Sequence, residues 1–436
     1  MLAQAIPYWQ QAGQRALQRS AHLEAISHLT KGLELLALLP DSLESMQHEL
    51  MLQTTLGPAL IATKGQGAPE VEHTYARARA LCHQVGETPR LFPVLRGLWS
   101  FYLVRSELQT ARELGEQLLR LAQRLQDHAL LLEVARALGS TLFWVGDFTQ
   151  AHAQLEQGVT LYEPVQHRSL AFAYGQDPRV VCQCYTVWTL WMLGYPDQAL
   201  QLSDETVAMA QELAHPLSLV YALQFTAVLH QHRQERQASQ EQAEAVIALS
   251  REQGFVQWLA QGTVVQGWAL TAQGQSAEGM AQMHEALAAY RATGSEISRP
   301  YYLALLAEAY GAGGQAQEGL EVLAEAVAIA SNNGPHYWEA ELHRLKGELL
   351  LSLSADNHAE AEGCFHQALT VAHHQQAKSL ELRAATSLSP AMAAAGQAGR
   401  SARATGFCLW LVHRGVRHRR PPGGQDTARR VGGITR

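Results

Sequence analysis

The chain has 436 residues, is 47% hydrophobic and carries a net charge of −7, so it is long enough for a large core or several domains. It shows no signal-peptide pattern, and its longest apolar runs, such as Leu33 to Pro40, are too short to span a bilayer. The five cysteines are sparse and odd in number, which argues against a disulfide-rich secreted domain and predicts a cytoplasmic protein.

A small or medium-sized apolar residue recurs nine times along the chain, at intervals of 39 to 48 residues. The nine positions are Ala25, Val71, Ala111, Ala151, Ala199, Ala238, Gly279, Gly319 and Ala361. Repetition at such a period is typical of a solenoid of helix–turn–helix units. Each position is predicted to open the second helix of its unit, where a small side chain lets the two helices approach closely.

Neighbouring residues support helices rather than strands. Around Ala151, Gly139 precedes the position, and Leu155 and Gly158 follow it at helical spacing. Turn signals such as Gly146-Asp147 fall just before the second helix, where glycine ends one helix and aspartate starts the next. The pattern therefore predicts an all-α, tetratricopeptide-like (TPR-like) right-handed α-solenoid of about nine units.

The interval between Ala151 and Ala199 is the longest of the series, and its surplus falls in residues 167–178. An insertion of this kind is expected to project from one face of the stack. Tyr174 and Asp177 are then candidate contact residues. The alternative is a longer turn that is capped by Asp177.

The first helix of each unit is expected to line the concave side of the superhelix. The register places there Trp144 or its neighbour Phe143, Trp188, Trp191, His230, Trp268 and Tyr301. Aromatic side chains on such a wall suit recognition of a peptide or a small inducer. The alternative is that they fill the grooves between repeats as ordinary core.

No catalytic motif accompanies the repeats. The chain lacks a Gly-Lys pair and with it a phosphate-binding P-loop, and it lacks the His-Glu-x-x-His and Gly-x-Ser-x-Gly patterns. Cys182 and Cys184 point to different sides of a helix and are interpreted as buried packing residues. We therefore predict no enzyme activity, no cofactor, no metal site, and no nucleic-acid or membrane partner.

The C-terminal segment differs in charge from the rest. Residues 390–436 carry nine arginines and one acidic residue, which leaves residues 1–389 at a net charge of −15. Permitted codons read one base later restore a helix–turn–helix pattern that begins RLWQQQGKRAEA. We therefore predict that the solenoid covers residues 1–389 and that residues 390–436 are a frameshifted, disordered basic tail, with a genuine nucleic-acid-binding tail as the alternative.

Several sequence blocks taken together carry a family resemblance: residues 8–16, 68–71, 98–105, 174–178 and 339–349. They resemble the C-terminal repeat region of bacterial multidomain signalling proteins, in which a class III adenylate or guanylate cyclase domain precedes an AAA or STAND-type ATPase. The resemblance implies that Met1 falls just after the ATPase and that relatives encode the cyclase and ATPase domains upstream. No catalytic residue carries over, because the matching positions are absent here.

Two functions follow from these observations. The first is a non-catalytic module that senses a protein, a peptide or a small inducer, as the regulatory part of a cyclase or ATPase signalling protein. The alternative is the ligand-binding superhelix of a maltose-activator-type (MalT-type) transcriptional regulator, whose units have a similar length. That alternative needs a DNA-binding helix-turn-helix, which the sequence does not show.

Overall fold

The computed structural model describes residues 2–86, 88–331 and 334–394, and every regular element in these ranges is helical. The α-helices are α1 Leu2–Gln18, α2 His22–Leu36, α3 Leu43–Lys64, α4 Pro69–Val85, α5 Thr88–Val104, α6 Leu108–Leu125, α7 His128–Val145, α8 Phe148–Leu161, α9 Pro164–His167, α10 Leu170–Tyr174, α11 Pro178–Met192, α12 Pro196–Leu213, α13 Pro216–His232, α14 Arg236–Gln253, α15 Val256–Ala272, α16 Ser276–Ala292, α17 Arg299–Ala312, α18 Ala316–Ser331, α19 Glu339–Leu353, α20 His358–His374 and α21 Lys378–Ala394. A single 3₁₀ turn, Ala355–Asn357, precedes α20.

Successive helices pack as helix–turn–helix pairs, and each pair packs on the next one in the chain. Within the described ranges there are nine such pairs, from α1–α2 to α19–α20, with α21 continuing the stack. The predicted all-α, TPR-like solenoid of about nine units is confirmed. Helix α21 runs on to Ala394, past the predicted boundary at Ser389, and residues 395–436 of the predicted tail lie outside the described residues.

The small residues at the repeat positions lie where two helices of a pair touch. A Cβ atom on Gly279 would lie 2.4 Å from the carbonyl oxygen of Gly267, so no larger residue fits there. The predicted register is wrong by one residue at Ala238, which is only partly buried. Ser239 occupies that position instead, and its hydroxyl donates to the carbonyl oxygen of Ala227 at 2.9 Å.

Segments one superhelical turn apart, about 190 residues along the chain, form hydrogen bonds with each other. We call this contact between successive turns the closure of the coil. The backbone amides of Glu296 and Ile297 donate to the carbonyl oxygen of Val104, at the end of α5, at 2.7 and 3.0 Å. The His336 amide donates to the carbonyl oxygen of Trp144, near the end of α7, at 2.9 Å. Carbonyls in the last turn of a helix have no partner within that helix, so the next superhelical turn satisfies them.

Two side-chain bonds at the same spacing strengthen this closure. The Gln66 amide donates to the Gln257 side chain across 191 positions, and the Ser379 hydroxyl donates to the Trp191 carbonyl across 188 positions. These bonds hold successive turns of the coil against each other.

Helix α7 is long and apolar enough to cross a membrane, in contrast to the sequence-based expectation that no stretch would be. It is nevertheless 61% buried inside the fold, and its Glu133 and Arg136 are engaged in an ion pair. These features are those of a core helix of the solenoid.

Candidate functional site

Five of the six predicted wall residues are buried. The relative exposure is 3% for Trp144, 5% for Trp188, 4% for Trp191, 2% for Trp268 and 1% for Tyr301. The expectation of an accessible aromatic wall is therefore wrong for these residues, and the alternative of a core role describes them. For Trp144, Trp191 and Tyr301 the physical reason is the closure of the coil, since Tyr337 or Trp338 of the loop before α19 contacts each of them. Trp188 instead stacks on Phe225, and Trp268 donates to Glu308.

Aromatic rings from the later turn complete this covered layer. Trp338 stacks on His232 with ring centroids 4.6 Å apart, and His232 lies 4.7 Å from Trp191. Tyr337 meets Trp144 edge-on at 4.8 Å. Sequence reasoning missed Tyr337 and Trp338 because they precede a first helix instead of lying within one.

The sixth predicted residue, His230, lies at the end of α13 and is partly buried. Its Nδ1 is 2.6 Å from the Glu235 carboxylate, which also accepts from Arg233 at 2.7 Å. His230 therefore takes part in a turn between two helices and does not join the aromatic layer.

The insertion between α8 and α11 folds against the solenoid instead of projecting from it. Its short helix α10 contacts α3, and the Phe172 ring meets His215 edge-on at 5.0 Å. Asp177 is 1% exposed and accepts from the Val180 amide at 3.0 Å. The prediction of a projecting contact loop is wrong, and the alternative of a turn capped by Asp177 is confirmed.

The predicted contact residue Tyr174 packs over a guanidinium group. Its ring centroid lies 5.5 Å from Arg96 Cζ, and burial raises the pKa of its hydroxyl. Tyr174 thus covers a charged group in the interior and is only partly exposed.

An accessible concavity lies between α17 and α19. It has a volume of about 280 Å³. Its walls combine apolar groups with two carboxylates, and they are formed by Glu308, Gly311, Ala312, Leu345, Glu348, Leu349 and Ser352. We call this concavity the α17–α19 pocket.

The two carboxylates of the α17–α19 pocket differ in their partners. Glu308 accepts one hydrogen bond, from Trp268 Nε1 at 3.0 Å. Glu348 accepts from Arg344 and from the Ser387 hydroxyl at 2.8 Å. Burial raises the pKa of Glu308 despite the opposing charges of Arg383 and Arg344.

The sequence around Glu308 carries a signal for a buried carboxylate. Glu308 is the single acidic residue of α17, whose other positions are mostly apolar or aromatic. A carboxylate in such a helix is rarely buried without a partner or a function. Trp268, one of the predicted wall residues, contacts this pocket because its indole N–H donates to the Glu308 carboxylate.

Two buried ionic networks line the first helices elsewhere. In one, Glu133 lies between Arg96 and Arg136. In the other, Glu341 bonds Arg344 at 2.8 Å and Arg383 at 2.7 Å. We call them the Glu133 triad and the Glu341 triad.

Cys182 and Cys184 are buried, at 0% and 1% exposure, and burial raises the pKa of both thiols. Along the part of the chain that the structure describes, no three His, Cys, Asp or Glu residues come together in a metal-binding group.

No family model matches the chain. An uncharacterized protein of Rhizobium meliloti (strain 1021) is 22% identical over 391 residues, which are 89% of this chain and 38% of that protein. A Rap protein complexed with competence and sporulation factor superposes with a TM-score of 0.55 at 9% identity, over 92% of this chain and 99% of its own. A STAND protein with a tetratricopeptide repeat sensor from Pyrococcus horikoshii gives a TM-score of 0.41 at 12% identity, over 79% and 53%.

The chain thus shares the TPR-like fold of the Rap protein and spans about 38% of the length of its curated relative. None of the three proteins is described as a nucleotide cyclase. The association with a cyclase stays a prediction from the sequence.

Proposed function

We propose that the chain is a non-catalytic sensing module that binds a peptide or a protein segment in the α17–α19 pocket. The observation that carries this proposal is an accessible, mostly apolar concavity with a carboxylate that no cation pairs among the described residues, on a coil whose remaining inner aromatics are covered. Buried polar groups in an apolar pocket fix the orientation of a ligand.

The size of the pocket favours a side chain over a cofactor. Its volume of about 280 Å³ lies just below the range of about 300–1,000 Å³ for small-molecule sites. One or two anchoring side chains of a peptide fill such a space. Anchors that enter a desolvated pocket usually supply most of the binding energy of a peptide or protein partner.

The charge of the pocket favours a cationic anchor. Glu348 is already engaged by Arg344 and Ser387, whereas Glu308 accepts a hydrogen bond only from the Trp268 indole among the described residues. An ammonium or guanidinium group therefore gains a charge-assisted hydrogen bond at Glu308. The net charge of −15 over residues 1–389 adds a long-range attraction for such a partner.

Selection of peptides from a displayed random library on the full chain tests the proposal. We expect enrichment of lysine or arginine beside an apolar residue. Glu308→Gln should weaken the selected peptide about 10-fold or more, because hydrogen bonds to charged groups contribute about 1.5–3 kcal/mol. Glu318→Gln, on an exposed position of α18, is the matched control and should bind as the wild type does.

Equal affinity of the wild type and Glu308→Gln for the selected peptides would show that the peptides do not bind at Glu308. Failure to select any peptide, or hydrolysis of ATP by the purified chain, would contradict the proposed function itself.

We further propose that, in longer proteins, such a module regulates an ATPase or a cyclase, as the resemblance of the sequence blocks implies. The relative from Rhizobium meliloti is long enough to hold such domains, since this chain spans 38% of it. Addition of the selected peptide should change the rate of nucleotide turnover by that full-length relative. We also propose a cytoplasmic location, which fits the buried cysteines Cys182, Cys184 and Cys364, none of which forms a disulfide among the described residues.

A further inference from the structure

The Glu133 triad holds more positive than negative charge in the interior. Arg96 Nε and Arg136 Nη1 both donate to the same oxygen, Glu133 Oε2, at 3.2 and 3.4 Å. The side chains of Arg96 and Arg136 are 2% exposed and that of Glu133 is 1% exposed. Guanidinium groups stay charged in proteins, so the triad carries a net charge of +1 away from solvent.

Donors exceed acceptors around this triad. Arg96 Nη2, Arg136 Nε and Gln176 Nε2 are buried without a hydrogen-bond partner among the described residues, against one such acceptor, Glu133 Oε1. The Gln176 side chain is 1% exposed, and its amide oxygen accepts from Arg136. A neutral amide thus occupies the position in which an anion would balance the charge.

The Glu341 triad shows how the same arrangement is completed. It too places one buried glutamate between two arginines, but Arg344 bonds a second carboxylate, that of Glu348. Arg383 in addition donates to the carbonyl oxygen of His232 at 2.8 Å. Among the described residues, no carboxylate other than Glu133 bonds Arg96 or Arg136. The neighbouring buried carboxylate, Asp177, accepts from Tyr162 and from the Val180 amide instead.

We propose that the Glu133 triad is a binding site for a ligand carboxylate, which takes the place of the Gln176 amide against Arg136 and Arg96. The charge selects this chemistry, because a monoanion balances a net charge of +1 whereas a phosphate dianion exceeds it. The ligand is a small carboxylic acid or the carboxyl group of a peptide. The site shares no residue with the α17–α19 pocket and does not depend on the proposed function.

Binding of a ligand at the triad requires the insertion that carries Gln176 to move away from it. It is tied to the solenoid on its outer side by Arg168, which donates to the carbonyl oxygens of Glu212 and Leu213 at 3.4 and 3.1 Å across exposed surface. Gly175 beside Gln176 has φ 78°, a backbone conformation that glycine adopts without strain. Movement of residues 163–178 would uncover the guanidinium groups.

Thermal denaturation of the full chain tests the site, with sodium acetate as the probe and sodium chloride at equal ionic strength as the reference. Binding to the folded state raises Tm with ligand concentration. We expect acetate to raise Tm more than chloride, phosphate or neutral acetamide does. Hydrogen exchange in residues 163–178 should change with acetate and not with chloride.

Two glutamine variants provide a matched pair. Gln176→Glu places a carboxylate against Arg136 within the chain, so it should raise Tm and abolish the response to acetate. Gln224→Glu, at a site that is also 1% exposed but has no ion pair among the described residues, should lower Tm. Tetra-alanine with a free or an amidated carboxyl end distinguishes the sources: a larger shift with the free acid than with acetate indicates a peptide, and an equal shift indicates a small acid.

Equal effects of acetate and chloride on the wild type would overturn the site, whatever Gln176→Glu does. A stronger response to phosphate than to acetate would overturn the carboxylate assignment. A loss of Tm in Gln176→Glu as large as that in Gln224→Glu would show that the triad holds no excess positive charge.

Discussion

The Glu133 triad and the Glu341 triad both bury one glutamate between two arginines, but they neutralise these charges to different extents. In both, a glutamate that is almost fully buried lies between two arginines. The arginines of the Glu341 triad are 12% and 20% exposed and bond further acceptors, whereas those of the Glu133 triad are 2% exposed and leave donors unpaired. The Glu341 triad is therefore balanced within the chain, and the Glu133 triad is not.

The difference has a consequence for stability and for binding. Buried charges repay their desolvation only where their geometry and hydrogen bonds are complete, whereas an unbalanced buried charge destabilises the fold until something neutralises it. We therefore expect the Glu341 triad to act as structure and the Glu133 triad to respond to substitution and to ligands.

The largest effect is expected from Glu133→Gln. This change leaves two fully buried guanidinium groups without a counter-charge, and breaking such a pair costs about 3–5 kcal/mol. Urea denaturation measures the loss. Glu116→Gln is the control, because its partner Arg112 is 62% exposed and such pairs contribute about 0–1 kcal/mol. A loss below about 1 kcal/mol in Glu133→Gln would contradict the contrast between the two triads.

The pH dependence of the Glu341 triad comes next. Burial alone would raise the pKa of Glu341, but Arg344 and Arg383 lower it to about 2 in the folded state, from its ordinary value of 4.5. A carboxyl group with a depressed folded pKa stabilises above its unfolded pKa, and this contribution is lost as pH falls from about 4.5 to about 2. It amounts to about 3 kcal/mol. Denaturation at pH 5, 4 and 3 should show this slope in the wild type and a shallower one in Glu341→Gln; identical slopes would refute it.

A smaller pH effect comes from two buried histidines, His22 and His215, which belong to neither triad. Burial lowers the pKa of His22 to about 4, and burial together with the neighbouring His22 lowers the pKa of His215 to about 4. The unfolded chain then binds protons first, so stability is lost as pH falls from about 6.5 to about 4. Between pH 7 and pH 5 the loss is about 2 kcal/mol for each histidine.

His22→Phe removes one of these groups and keeps a ring beside Phe255, which lies 5.8 Å from His22. We expect the difference in the free energy of unfolding between pH 7 and pH 5 to shrink by about 2 kcal/mol in this variant. If the difference in the free energy of unfolding between pH 7 and pH 5 is unchanged, the pKa of His22 is not lowered by burial in the folded chain.

The smallest effect is expected from Arg383→Lys. Lysine keeps the charge but lacks the planar fork whose two nitrogens bond Glu341 and the His232 carbonyl at 2.7 and 2.8 Å. We expect a loss of about 1 kcal/mol, the typical contribution of one hydrogen bond. A loss of stability as large as that of Glu133→Gln would mean that the additional acceptors of Arg344 and Arg383 do not stabilise the Glu341 triad.

The repeat positions show how much of the fold the sequence predicts. Small residues such as Gly279 are constrained by contact with the neighbouring helix of the same pair, so local spacing predicts them. The error at Ala238 arose because Ser239, a polar residue, fills that position with its hydroxyl bonded to a carbonyl. Composition alone could not distinguish the two neighbours.

The site was harder to predict, because closure of the coil depends on small rotations that accumulate over many repeats. The sequence placed Trp191 and Tyr301 on first helices, but it could not show that Trp338 would return to contact them. Glu133 and Arg136 carried a readable signal, since both interrupt the otherwise apolar helix α7. Two charges three residues apart in such a helix indicate a buried network more often than a solvated face.

Hydrogen exchange across the whole chain, with and without a selected cationic peptide, tests the proposed sensing function most directly. The peptide should slow exchange in α17 and α19, around Glu308, and leave α1 to α4 unchanged. Slowed exchange confined to other helices, or no change anywhere at a saturating concentration of peptide, would contradict the account.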